Sequence, residues 1–239
     1  MHGSTATITV GRGTKSNALD GDAWRLLKRH LWDIGSQESI RVVVLSGRGE
    51  TFCAGSDTTE WVGAASDAVE QSFALMEAAF RAVERCPVPV VAKITGAAAG
   101  AGCQLALACA LRIMATSARI GMPIARLGIL PSPSFAARMV ELAGPSVARE
   151  LLYTGRLLDA PAAVAAGLAN RCVADDRLTE ETDRLAEQVA AQPPAAIRAA
   201  KQAVTAVLRP GRAAGEETDQ RAVSEVDFQR GITEFLRRS

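Results

Sequence analysis

PVPVVAKITGAAAGAGCQLALACALRI, residues Pro87 to Ile113, passes from a proline-bounded aliphatic run through a glycine-rich turn into a second apolar stretch. The first part, Val88 to Ile94, is continuously apolar except for Lys93 rather than alternating. That pattern suits a strand covered on both faces, as in a parallel sheet. Gly96 to Gln104 then reads as a turn that opens a helix, and Arg112 to Ala115 as the next strand. Ile94 to Leu111 is 18 residues without a charge and contains the small-xxx-small pattern GAAAG, so it must be weighed against a membrane span. Three glycines, a glutamine and the flanking Lys93 and Arg112 favour a buried strand, turn and core helix.

On either side the same alternation of short strands and amphipathic helices continues. Thr5 to Val10, Val42 to Leu45 and Asn170 to Val173 are further strand candidates. Asp20 to Ile34 has helical period, with Trp24, Leu27, Leu31 and Ile34 on one face and Arg25, Lys28, Arg29 and Asp33 opposite. Ala64 to Arg85 repeats this with Phe73, Met76, Ala79, Phe80 and Val83. An α/β architecture follows. Beyond Asp175 the strand signals stop, and Leu178 to Ala191, Ala195 to Leu208 and Glu216 to Arg238 read as helices, with Pro193 and Pro194 marking a helix start. The expected organisation is a core over residues 1–180 and a C-terminal helical oligomerisation segment over 181–239.

Composition narrows the chemistry. The chain has 239 residues, 48% hydrophobic and 22% charged, with a formal charge of +1. It has material for a sizeable core and lacks the basic footprint of a nucleic-acid binder, so no nucleic acid and no membrane are expected as partners. Two histidines, His2 and His30, make a histidine triad or multi-histidine metal site improbable, and no metal is expected. Cys53, Cys86, Cys103, Cys109 and Cys172 are odd in number and lack CxxC spacing, which reads as reduced, mostly buried thiols in the cytoplasm. MHGSTATITV alternates like a strand rather than opening a signal sequence.

Two glycine-rich turns remain as places for chemistry, Gly47 to Asp57 and Gly96 to Gln104. Neither is a nucleotide fingerprint, since Gly100 and Gly102 lack the third glycine of GxGxxG and no GK[ST] follows. Each alone is equally well a tight turn between buried elements. A turn ending at a helix N-terminus presents backbone N–H groups, and two such turns converging would make an oxyanion hole from main chain alone.

The blocks RVVVLSGRGETFCAGSD (Arg41 to Asp57), Cys86 to Ile113, ARIGMPIARLGILP (Ala118 to Pro131) and Ala148 to Val173, with the closing FQRGITEFLRR (Phe228 to Arg238), resemble the crotonase, or enoyl-CoA hydratase/isomerase, superfamily in order and spacing over nearly the whole chain. The resemblance implies a crotonase-type spiral of ββα units with a C-terminal helical segment. It implies a homotrimer or dimer of trimers, and a lyase or isomerase activity of fatty acid metabolism. The ligand it implies is an acyl-CoA, with coenzyme A part of the substrate and no cofactor bound covalently. By position, the thioester carbonyl would meet the backbone N–H groups of Ser56 and Ala101. The coenzyme A part would meet the loop Thr14 to Ala18, including Lys15, Ser16 and Ala18, and the loop Ala54 to Thr58, including Asp57. Phe235 and Arg237 would join from the C-terminal helix. Thr59 stands where many relatives carry lysine.

Against that pattern the chain departs at its acids. The two family glutamates fall on Gln104 and Ile124, and the acid position of the dienoyl isomerases on Ser132. None of these exchanges a proton near neutral pH in the way paired carboxylates do. Asp57, Glu60, Ser132, Ser134, the substrate or a water is left to move protons, and Asp57 is equally well a turn-fixing acceptor. Ala101 replaces a common glycine, which is harmless if Gly100 and Gly102 carry the unusual backbone and residue 101 is already helical. Two functions stay open: an enzyme using the backbone oxyanion hole with weak or absent hydratase turnover, and a non-catalytic acyl-CoA carrier or partner subunit.

Overall fold

The computed structural model describes residues 3–208, 229, 232–234, 236 and 237. Its elements run β1 (Thr5–Val10), α1 (Gly21–Gly35), β2 (Val42–Gly47), α2 (Ser66–Arg85), β3 (Val90–Ile94), β4 (Ala97–Ala99), α3 (Ala101–Ala108), β5 (Leu111–Ala115), β6 (Arg119–Gly121), α4 (Pro133–Thr154), β7 (Leu157–Asp159), α5 (Ala160–Ala165), β8 (Arg171–Val173), α6 (Leu178–Ala190) and α7 (Pro194–Leu208). Short 3-10 turns occupy Lys15–Asn17, Thr58–Trp61, Pro123–Leu127 and Asp175–Arg177. Of the expected helix Glu216 to Arg238, residues 229, 232–234, 236 and 237 are described and the rest, Phe235 included, lies outside the described residues.

The five strands expected from sequence form one parallel sheet in the order β1-β2-β3-β5-β8. Five consecutive residues of β2, Val42 to Ser46, are buried, as is most of β3, because α6 lies across β1, β2, β3 and β5 while the other helices add to the core. Burying each valine, leucine or isoleucine among them contributes roughly 1.5–3 kcal/mol. The helices present the expected faces. Trp24, Leu27 and Leu31 of α1 are buried, and Asp20 caps its start by accepting from Ala23 N–H at 2.9 Å. Met76, Ala79, Phe80 and Val83 of α2 are buried too, with Trp24 edge-on to Phe80 at 5.5 Å.

A second sheet, β4-β6-β7, corrects the reading of Gly96 to Gln104 as only a turn before a helix. Ala97–Ala99 pairs in parallel with Arg119–Gly121, which pairs antiparallel with Leu157–Asp159. Each strand has three residues, and alanine has low strand propensity, so tertiary pairing rather than local preference makes them. The chain therefore advances in ββα units, β3-β4-α3 and then β5-β6-α4. The first strand of each unit joins the large sheet and the second joins the small one. The uncharged run Ile94 to Leu111 is thereby spent on the end of β3, β4, α3 and the start of β5. Among the described residues no helix is long and apolar enough to cross a membrane.

Candidate active site

The two glycine turns are joined backbone to backbone. Cys53 N–H donates to the Ala97 carbonyl at 2.9 Å, and Ala99 N–H donates to the Cys53 carbonyl at 3.0 Å, a parallel bridge between Cys53 and Ala98. Gly102 makes this approach feasible, since a Cβ there would stand 1.9 Å from the Cys53 oxygen. Gly100 carries the unusual backbone, with φ 55° and ψ −121°, and its N–H donates to the Gly121 carbonyl. Ala101 is then the first helical residue of α3, so its methyl causes no strain.

Ser56 and Ala101 emerge from this junction partly exposed, and Gly55 lies between their loops, its hypothetical Cβ 3.4 Å from the Ala101 nitrogen. Neither the Ser56 nor the Ala101 N–H has a hydrogen-bond partner among the described residues. Ala101 opens α3, where such an orphan donor is expected and the helix dipole adds partial positive charge. The Ser56 hydroxyl faces the core, accepting from Trp24 Nε1 at 3.2 Å and donating to Met76 Sδ at 2.7 Å.

The loop that carries Ser56 is zipped to the loop carrying Lys15, Ser16 and Ala18. Ala54 N–H donates to Ser16 O, Leu19 N–H to Gly55 O and Asp57 N–H to Leu19 O, all within 3.0 Å. Lys15, Ser16 and Asn17 have φ of 47°, 49° and 58°. Left-handed backbone costs roughly 1–2 kcal/mol per non-glycine residue. Buried Asn17 offsets part of this, donating to the carbonyls of Arg48 at 2.8 Å and Thr51 at 2.6 Å and accepting from Gly13 N–H at 2.9 Å. Lys15, Ser16 and Ala54 are exposed, and Ala18 and Thr58 half-buried, so the sequence-predicted loop residues meet along one accessible edge.

Asp57 is fully engaged. Lys15 Nζ is 2.7 Å from Oδ2, and Thr59 gives both its N–H, at 3.2 Å, and its hydroxyl, at 2.6 Å, to Oδ1. Burial pushes its pKa up, but the bonds from Lys15 and Thr59 outweigh that and hold it below the usual carboxylate range. It is an ionised cap of the turn Thr58–Trp61. Glu60 is likewise a cap, accepting from Gly21 N–H at 3.2 Å; burial, followed by neighbouring Asp20, Asp57 and Asp22, pushes it upward.

Gln104 lies in α3, Ile124 and Ser132 in the segment between β6 and α4, and Arg237 in the C-terminal segment. Gln104 is completely buried, its Nε2 donating to the Phe135 carbonyl at 3.2 Å and its Oε1 accepting from Arg138 Nη1 at 3.2 Å. Ile124 is buried in the turn Pro123–Leu127. Ser132 caps α4, its Oγ accepting from Phe135 N–H at 3.3 Å. Arg237 is exposed.

Sequence reasoning missed Arg138 and its partners. The guanidinium, 1% exposed, lies 2.6 Å from Glu84 Oε1, binds both oxygens of Glu77 at 2.8 and 2.9 Å, and stands 5.3 Å over the Phe80 ring. The signal available was a lone arginine between Phe135 and Met139 on an apolar helix face. Its acidic partners are 54 and 61 residues away on α2, out of reach of any local pattern.

With this geometry in hand, comparison with known proteins assigns the class. A family model described as Enoyl-CoA hydratase/isomerase matches residues 1–239. The chain belongs to the enoyl-CoA hydratase/isomerase family, and its fold is the crotonase fold. It is 35% identical over 235 residues to YngF of Bacillus subtilis, covering 96% of this chain and 90% of that one. It is 30% identical to the crotonyl-CoA hydratase of Syntrophomonas wolfei, covering 97% and 91%. Among solved structures, an enoyl-CoA hydratase/carnithine racemase from Magnetospirillum magneticum superposes with a TM-score of 0.85 at 34% identity, covering 88% of this chain and 80% of that one.

Proposed function

We propose that the protein binds acyl-CoA thioesters with the thioester carbonyl between the N–H groups of Ser56 and Ala101, which stabilise an enolate as charge develops on the oxygen. The observation that supports this is the Cys53–Ala98 bridge, which brings together two loops whose N–H groups at 56 and 101 have no partner among the described residues. The coenzyme A part runs along the joined loops, against Lys15, Ser16, Ala18, Ala54, Asp57 and Thr58. Phe235 and Arg237 contribute from the C-terminal segment, and α7, with Val204, Val207 and Leu208 exposed, favours a homotrimer or dimer of trimers.

The proton-transfer side is different in kind from a two-carboxylate site. Gln104 does not titrate, Ile124 offers only apolar surface, Ser132 is a helix cap and Asp57 an ionised turn cap. Hydration of an enoyl thioester by two cooperating carboxylates is therefore slow or absent, and water or the substrate itself supplies the proton. The same site without turnover would serve as an acyl-CoA carrier; a slow loss of enoyl absorbance above the protein-free rate favours the enzyme, and none favours the carrier. Mixed with crotonyl-CoA, the protein should bind it while the conjugated enoyl thioester absorbance stays nearly constant; Gln104→Glu with Ile124→Glu should raise the rate of its loss. Turnover at the rate of ordinary hydratases in the unmodified protein would overturn this reading.

A further inference from the structure

The helix α7 is fastened to the core at few points. None of its 15 residues is buried; Pro194, Ile197 and Lys201 are half-buried along one helical stripe, and all the others are exposed. Ile197 lines a cavity of about 10 Å³ with Val88, Pro89 and Val189, and just ahead of the helix Arg41 Nη2 donates to the Gln192 carbonyl at 2.5 Å. At the far end of the stripe, Lys201 Nζ donates to the carbonyls of Cys86 at 2.6 Å and Val88 at 3.1 Å. Cys86 caps the C-terminus of α2, where unpaired carbonyls and the helix dipole favour a cation. Beyond it the stripe continues into Val204 and Leu208, both exposed, so among the described residues Lys201 is the last fastening of α7. A helix held this lightly opens locally without unfolding the core.

The fastening depends on donor count. An ammonium has three N–H groups, of which two serve these carbonyls; an amide nitrogen has one. Acylation of Nζ would strip at least one carbonyl of its donor, remove the charge and place an acyl group where the two carbonyls converge. We infer that Lys201 is a modification site that switches α7: when the helix lifts, Nζ takes the acyl group of an acyl thioester, and the resulting amide holds α7 off the core. Nζ first releases one proton to water and attacks the thioester carbon. The C–N bond forms, the C–S bond breaks, and the second proton leaves with the thiolate as free thiol. A thioester in solution suffices, so the inference stands apart from the acyl-CoA site proposed above.

Acetyl-CoA is the probe, with acetylation at Lys201 and at exposed Lys28 of α1 compared by peptide mass spectrometry. Arg41→Ala, which frees the base of α7, should raise the ratio of Lys201 to Lys28 acetylation about fivefold, the effect of one lost hydrogen bond on the opening equilibrium. Protein carrying Nε-acetyl-lysine incorporated at position 201 should exchange the backbone amides of α7 at least about fivefold faster, while α6, which lies across the sheet, exchanges as before. If that protein does not fold, Lys201→Gln, equally uncharged, carries the same expectation. Unchanged exchange in α7 overturns the inference. So does a Lys201 that stays unmodified in both the unmodified protein and Arg41→Ala while Lys28 is acetylated, and so does an acetylation ratio that Arg41→Ala leaves unchanged.

Discussion

Gly102→Ala isolates the backbone contact on which the proposed site depends. Its Cβ would stand 1.9 Å from the Cys53 oxygen and 2.7 Å from the carbonyl carbon, where ordinary contact begins near 3.4 Å. Both atoms are backbone, so no side chain can swing aside, and the turns must separate by about 1.5 Å in an interior packed like a crystal. Overpacking of this kind costs about 1–3 kcal/mol. The displaced carbonyl also accepts from Ala99 N–H at 3.0 Å, and weakening that bond adds about 1 kcal/mol. A loss of about 2–4 kcal/mol is a large fraction of the 5–15 kcal/mol typical of a folded chain. With a urea slope of about 3 kcal/mol/M for a chain of 239 residues, the unfolding midpoint should fall by about 1 M. Acyl-CoA affinity measured well below that midpoint should fall as well, because the separation moves Ala101 relative to Ser56. Gly100→Ala is the control: its Cβ meets nothing within 4 Å, so only the backbone at φ 55° and ψ −121° resists, at about 1–3 kcal/mol. A Gly102→Ala protein that unfolds with the unmodified one and binds equally well would refute the argument that backbone contact sets the site.

Asp57 has its folded pKa lowered, so its stabilisation is present above the unfolded value near 3.9 and lost as pH falls through the folded value. Asp57→Asn should therefore make stability fall less steeply than in the unmodified protein as pH drops from about 5 to 3 in urea titrations, and an unchanged slope would count against the Lys15–Asp57 pair. Ser132→Ala should cost about 1 kcal/mol as a lost helix cap and leave acyl-CoA affinity intact; a selective loss of binding would return Ser132 to the site. Burial pushes the thiols of Cys53, Cys103 and Cys109 up to about 12, and Cys86 is buried as well. A thiol-specific reagent should thus react in the native protein with Cys172 alone, and with all five cysteines only after unfolding; rapid native labelling of more than one would contradict the packing.

How much the chain declared in advance depends on the length scale of each feature. β2 and β3 were legible because burial on both faces forces an unbroken apolar run, and α1 and α2 because half-burial forces a helical period. β4, β6 and β7 were not, since three residues cannot establish a period and Ala97–Ala99 resembles a turn until β6 lies beside it. The joined glycine turns were foreseen as a candidate pair from their motifs, but the bridge that joins them is a contact between residues 53 and 98. Asn17 is a residue that tolerates left-handed backbone, whereas Lys15 and Ser16 carry no such mark and are held there by Asn17 and by Ala54. The network of Arg138 escaped for the same reason: its charge was visible, its neutralising partners were not.

The donors that emerge from the Cys53–Ala98 junction belong to the main chain, and this sets what mutagenesis can see. Exchange of the Ser56 side chain perturbs Trp24 and Met76, and exchange at Ala101 alters a methyl group, but neither removes an N–H. Alanine scanning is therefore blind to them, and drift in residue identity at either position can leave them untouched. Replacing a single amide by an ester at position 56 or 101, by semisynthesis, deletes the donor while keeping the side chain. The proposed site is in this sense written in the path of the backbone, which Gly55 and Gly100 shape through positive φ and Gly102 through its close approach to Cys53.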